Sequence, residues 1–138
     1  MKTFLSAFIA GILLAFILML SIQTSLAGSA TWNLDPTSGD WNTATNWTPA
    51  TVPNGPTDMA TFDLSNLTAI SVEQTIITLD SIVFNPGASA FTITVGPETG
   101  SSLVIVGAGI TNNSGVIQNF VTTNLARNGE IGTIEFHN

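Results

Sequence analysis

Between Thr75 and Phe120 the chain is a series of short apolar runs, TIITLDSIVFN, AFTITV, SLVIV and GVIQNF, each ended by a cluster of turn residues. The breaks fall at Asn85-Pro86-Gly87, at Gly96 to Gly100, at Gly107-Ala108-Gly109 and at Asn112 to Gly115. Gly and Asn tolerate positive φ and Pro starts turns, so such clusters punctuate strands and do not interrupt helices. The runs are rich in Val, Ile, Thr and Phe and alternate apolar with polar residues, the period of a strand with one buried face. Upstream, Met59 to Leu64, Ala69 to Val72 and Thr75 to Leu79 follow the same rule. No stretch after residue 27 sustains a 3.6-residue apolar period, so an all-β fold with almost no helix is expected.

Two all-β architectures fit strands joined by turns: an antiparallel sandwich of hairpins, or a solenoid winding in one direction with parallel strands stacked about 4.8 Å apart. A longer spacing favours the solenoid. Ile82 and Phe84 are followed about 21 residues later by Leu103 and Ile105, and Leu125 lies about 22 beyond Leu103. On this register Phe91, Ile93 and Val95 form a second interior face, with Val116-Ile117 and then Ile131, Ile134 and Phe136 as candidates to stack above it.

The first 27 residues stand apart. Lys2 precedes the apolar run Phe4 to Leu20, and Ser25-Leu26-Ala27 supplies the small residues of a signal-peptidase site, with cleavage expected between Ala27 and Gly28. The alternative, an uncleaved membrane anchor, has a run only just long enough to span about 30 Å of hydrocarbon. Three segments follow: a signal peptide at 1–27, a loop-rich cap at 28–57, and solenoid coils at 58–138, expected to be truncated at the C-terminal end. Export from the cytoplasm is therefore expected.

Charge excludes several partners. After residue 27, Arg127 is the only Lys or Arg, against nine carboxylates. Nucleic acid and anionic lipid are both held by clustered cations, so neither is an expected partner, and no membrane association is expected once the signal is removed. The chain has no cysteine, so an exported domain of this size must draw its stability from stacked apolar rows and backbone ladders in place of disulfides.

Two stretches carry a family likeness. ATWNLDPTSGDWNTATNWTPATVPNGPTDMATFD, residues 30 to 63, is similar to the tryptophan-rich opening that precedes the helix in large exported bacterial proteins with autotransporter-type β-helical passengers. LDSIVFNPGASAFTITVGPETGSSLVIVGAGITNNSGVIQNF, residues 79 to 120, resembles the first coils and β-strand repeats of such passengers. The resemblance implies export, a right-handed parallel β-helix and a place at or beyond the bacterial envelope. Such passengers include adhesins, structural surface proteins and a minority of enzymes on one scaffold. Such passengers usually finish in a membrane barrel or a short sorting segment and this sequence reaches neither, so a fragment of a longer chain, or a unit that self-associates through an open solenoid end, is expected.

Trp32, Trp41 and Trp47 are the candidate ligand-binding residues: exposed rings on a loop-rich module stack on sugar faces while nearby Asn and Asp bind hydroxyls. The other reading, which the need to cover a terminal coil favours, is that they close the N-terminal end of the solenoid. Asp35, Asp40, Asp58 and Asp63 are spaced for turns and match no calcium loop, so no metal or other cofactor is expected. For catalysis the chain offers His137, no Cys, no Tyr and no Ser in a nucleophile elbow. A β-helical polysaccharide lyase needs cations beside a uronate, and Arg127 alone supplies little. The chain is therefore expected to be non-enzymatic, a structural or adhesive scaffold whose partners are surface glycans or host extracellular matrix. A secreted carbohydrate-binding module is the alternative.

Overall fold

A computed structural model describes residues 28–73, 75–96, 100–123 and 131–137; the signal segment, its cleavage residue Ala27, Leu125 and Arg127 lie outside them. The described residues form an all-β parallel solenoid. The strands are β1 (Ala30–Trp32), β2 (Trp47–Thr48), β3 (Gly55–Phe62), β4 (Ala69–Val72), β5 (Ile76–Phe84), β6 (Thr92–Val95), β7 (Ser102–Asn112), β8 (Asn119–Thr122) and β9 (Thr133–Phe136). The one helical element among the described residues is a 3-10 turn at Ala44–Asn46.

Three stacks make the wall. β4, β6 and β8 form a separate parallel sheet, with Ile70 beneath Ile93 beneath Phe120 and Val72 beneath Val95 beneath Thr122. The long strands β5 and β7 each contribute to two stacks. Their first halves align Ile77 with Leu103, and β9 adds Ile134 above Leu103. Their second halves align Ile82 with Ile110 and Phe84 with Asn112 above Ala60 and Phe62 of β3. The alternation seen in the sequence is the alternation between interior and wall: in β6, Ile93 and Val95 are buried while Thr92 and Thr94 face outward at intermediate exposure. The sandwich is thus excluded, because successive strands of each stack run parallel and hairpins cannot join parallel neighbours.

The register differs from the 21-residue expectation. Ile82 and Phe84 lie below Ile110 and Asn112, whereas Leu103 and Ile105 sit above Ile77 and Leu79. The coils are unequal: 22 residues separate Ala60 from Ile82, and 28 separate Ile82 from Ile110. Part of the excess is a bulge. Leu79 pairs with Ile105 but Ser81 with Gly109, so Asp80 faces the longer piece Val106-Gly107-Ala108. Gly107-Ala108-Gly109 therefore bends a continuous strand from one stack to the next instead of ending it. Gly109 has φ +86°, which favours glycine at this bend, and a side chain at Gly107 would have to displace the Asp80 carboxylate.

Val116 and Ile117 are 44% and 78% exposed and pair with no strand among the described residues. The turn before them folds outward, with Asn112 Nδ2 donating to Val116 O at 2.8 Å, and Phe120 takes the interior position above Ile93. Ile134 and Phe136 also belong to a different stack from the one expected, above Leu103 and Ile105.

Candidate functional site

The tryptophans expected to meet a ligand lie in the core. Trp32, Trp41 and Trp47 are 1%, 0% and 1% exposed. Trp47 stands edge-on to both others, with ring centroids 5.0 Å from Trp32 and 4.8 Å from Trp41. Phe62 of the first coil approaches all three at 5.7 to 6.4 Å. Each indole N–H is used internally: Trp32 donates to Leu67 O, Trp41 to Pro53 O and Trp47 to Trp41 O, at 3.1, 3.1 and 2.8 Å. A ring covered on both faces has none to offer a sugar, so the carbohydrate platform is corrected to a structural plug. The aromatic column continues upward, Phe62 stacking on Phe84 at 5.0 Å and Phe84 meeting Phe120 at 6.2 Å.

The plug is held by a side chain that sequence reasoning passed over. Asn46 is 0% exposed; its Oδ1 accepts from Thr37 N, Thr37 Oγ1 and Ser38 N, while Nδ2 donates to Asp40 O and Ser38 Oγ. One amide thus satisfies the loop that carries Trp41 and places Trp47 next in the chain. The only signal for it was its position directly before a tryptophan.

Around this plug, all three wall stacks are closed from below. β1 pairs in parallel with β3 and in antiparallel fashion with β2. Asp40 bridges to Ser71, with Trp41 N donating to Ser71 O and Ser71 N to Gly39 O, which completes the edge of β4. β3 reaches the first half of β5 at Gly55, opposite Leu79, and beside that contact Asn54 Oδ1 accepts from Thr78 N at 2.9 Å.

The four aspartates are dispersed. Asp40 accepts from Asn42 N and Thr43 Oγ1, Asp58 from Asn54 N, Asp63 from Asn85 Nδ2 and Asp35 from Asn66 Nδ2. These are turn and corner contacts, and no group of three or more His, Asp or Glu that could hold a metal is present among the described residues. A second internal polar line runs up one corner: Ser65 N donates to Ser89 Oγ, Ser89 Oγ to Ser65 O, and Gln118 Nε2 to Ser89 O, each at 3.0 Å. Gln118 Oε1 also accepts from Phe91 N at 2.7 Å, so one amide joins two coils.

On the outer wall an open groove of about 390 Å³ is lined by residues of β5, β7 and β9, among them Ile76, Ser102, Val104, Thr133 and Glu135. The Ser102 and Thr133 hydroxyls are 2.8 Å apart, and Glu135 Oε2 lies 3.0 Å from His137 Nε2. The hydrogen bond from His137, helped by the Thr133 hydroxyl, holds the Glu135 carboxyl below its ordinary 4.5. A carboxylate kept ionised in this way is a poor general acid near neutrality.

The face made by β4, β6 and β8 is different in kind. Its outward columns are Ala69, Thr92 and Asn119, and Ser71, Thr94 and Val121, without a charged residue. Comparison with protein-family models, with curated proteins and with solved structures found no match.

Proposed function

We propose that the protein is an exported, non-enzymatic solenoid segment of a bacterial surface protein that acts as a structural or adhesive scaffold. The observation that carries the reading is the outward face of β4, β6 and β8, whose columns of hydroxyl, amide and methyl groups bear no charge. Repeated weak donors and acceptors on a stiff wall suit multivalent contact with surface glycans or extracellular matrix, where summed contacts count more than any one site. Export is supported by the sequence of residues 1–27, and a bacterial surface location by the resemblance of residues 30–63 and 79–120 to passenger openings. The internal use of the tryptophans, aspartates and Asn46 favours a scaffold over a small-ligand site.

The test combines location and contact. Proteolytic shaving of intact producing cells should release peptides of this chain, with Gly28 as the first residue of the processed form. Attachment to matrix-coated or glycan-coated surfaces should fall at least several-fold in Thr92→Glu/Thr94→Glu while the unfolding midpoint stays near that of the parent. Retention inside the cell with residues 1–27 attached, or attachment indifferent to the two substitutions, would overturn the reading.

A further inference from the structure

Removing a leader creates a charge at the residue it exposes. Cleavage between Ala27 and Gly28 turns the neutral amide nitrogen of Gly28 into an α-ammonium, whose ordinary pKa of about 7.7–8.0 keeps most of it charged at neutral pH. Like the ammonium of a lysine, it brings three N–H donors and no acceptor.

Gly28 lies two residues before β1, at the entry to the cap. β1 runs parallel to β3 with Ala30 opposite Ala60 and Thr31 opposite Thr61. Carried back two residues, this register sets Gly28 beside Asp58. The two segments are still adjacent one residue before the ladder begins, because Met59 N donates to Ser29 Oγ at 2.9 Å. The loop before β3 reaches the same place: a β-carbon built on Gly28 would lie 3.8 Å from Thr51 Oγ1. One carboxylate and one hydroxyl thus converge on the first residue of the cap.

Both groups are buried and under-used. Thr51 Oγ1 is buried without a hydrogen-bond partner, although the backbone of the residue is held by Pro49 O. Asp58 is the one buried carboxylate among the described residues, 8% exposed, on the same side of β3 as Ala60 and Phe62. Its carboxylate accepts one hydrogen bond, from Asn54 N at 3.2 Å, and forms no ion pair among the described residues. A buried hydroxyl is costly unless bonded, and a buried carboxylate is costlier unless paired with a cation.

We propose that Thr51 and Asp58 form a receiving site for the α-ammonium of Gly28, filled only once the leader is removed. One N–H donates to Thr51 Oγ1 and another to the Asp58 carboxylate, which keeps its bond from Asn54 N. In the uncleaved chain the same nitrogen has a single N–H and no charge, so it cannot serve both groups and brings Asp58 no cation. The site ties the start of the processed chain to β3 and to the loop whose Pro53 O accepts from the Trp41 indole at 3.1 Å. Processing therefore tightens the cap around the tryptophan plug. The site rests on the reading of residues 1–27 as a leader cleaved before Gly28, and it stands apart from any adhesive contact.

Residues 28–138 contain no lysine, so an acetylating reagent finds one primary amine in them, that of Gly28. The experiment uses the processed protein recovered from producing cells, with its first residue read by peptide mass spectrometry. Acetylation of Gly28 should be about tenfold slower or more in the folded protein than in urea, because the paired ammonium offers the reagent no lone pair. Acetylated in urea and refolded, the protein carries a neutral amide at that nitrogen, as the precursor does. Its unfolding constant should then rise about tenfold or more, the scale of a hydrogen bond to a charged group. That penalty should shrink several-fold in Asp58→Asn. Thr51→Val, which exchanges the hydroxyl for a methyl, should destabilise the free-amine form and leave the acetylated form unchanged. A first residue other than Gly28 would overturn the cleavage reading and the site with it. With Gly28 first, acetylation as fast folded as unfolded, or an equal penalty in Asp58→Asn and the parent, would overturn the site alone.

Discussion

The lower and upper ends of this solenoid pose the same physical problem and solve it differently. At the lower end, three backbone edges meet three separate devices: a strand at β3, a short bridge at β4 and, at β5, Gly55 of β3 with the Asn54 side chain beside it. The apolar centre between them is filled by three indoles. Among the described residues of the upper end, the same three stacks finish in β7, β8 and β9, and Ile110, Phe120 and Ile134 are only partly buried against the core. A repeat whose interior is continuous must be closed by something that is not a repeat. Here that element is a loop-rich segment whose large aromatic area compensates for having almost no regular structure.

The sharpest test of this asymmetry is truncation at each end. Trp41→Ala removes a fully buried indole and should cost about 3–5 kcal/mol in urea unfolding. Phe136→Ala, at a position 61% exposed, should cost about 1 kcal/mol or less under conditions where the chain is monomeric. Equal losses at the two sites would mean that the tryptophan cluster is not the element that closes the solenoid.

The Asn46 hub sharpens the same contrast on its polar side. Asn46→Ala leaves the amides of Thr37 and Ser38 without their acceptor in a part-buried loop, and about 1–3 kcal/mol should be lost. Near-ultraviolet circular dichroism of the tryptophans should weaken in parallel, since the residue that follows Asn46 is Trp47. An unchanged aromatic spectrum would show that the cap loop is held by the rings alone.

The smallest effect belongs to the upper end. Glu135 has its carboxyl pKa depressed in the folded chain, chiefly by His137. Its contribution is therefore present above the ordinary carboxylate value of 4.5 and is lost as pH falls through the lower folded value. Because the pair is exposed, Glu135→Gln should alter stability only slightly at neutral pH, and the difference from the parent should vanish in acid. A difference that grows as the pH falls would place the carboxylate in another interaction.

How much of this could be read in the sequence differs between the same regions. The strand content was legible because alternation in runs such as AFTITV is imposed by a wall with one wet and one dry face, and the turns between them are rich in Gly and Asn. The stacking register was not, because it depends on coil length, and a bulge such as Val106-Gly107-Ala108 adds residues without interrupting the strand. The apolar pair Val116-Ile117 looked interior by composition. A turn anchored by Asn112 directs it to solvent and leaves Gln118 and Phe120 to face inward. Covering the terminal coil was one of two roles read for the tryptophans, but indoles look alike in sequence whether they stack on a sugar or on one another. Neighbouring Thr, Asn and Ser residues fit either role until Asn46 is seen to gather them inward.

The central claim is that the buried tryptophan plug makes the lower end the more stable of the two described ends. Residue-resolved amide hydrogen exchange, at a dilution where light scattering gives a monomer, tests it most directly. The account predicts that β1 and β3 exchange almost as slowly as β5, through near-global unfolding, while β8 and β9 exchange through local opening. If β1 exchanged as fast as β8, or if β8 and β9 were as protected as β5 in the monomer, the two ends would be energetically alike and the account would be wrong.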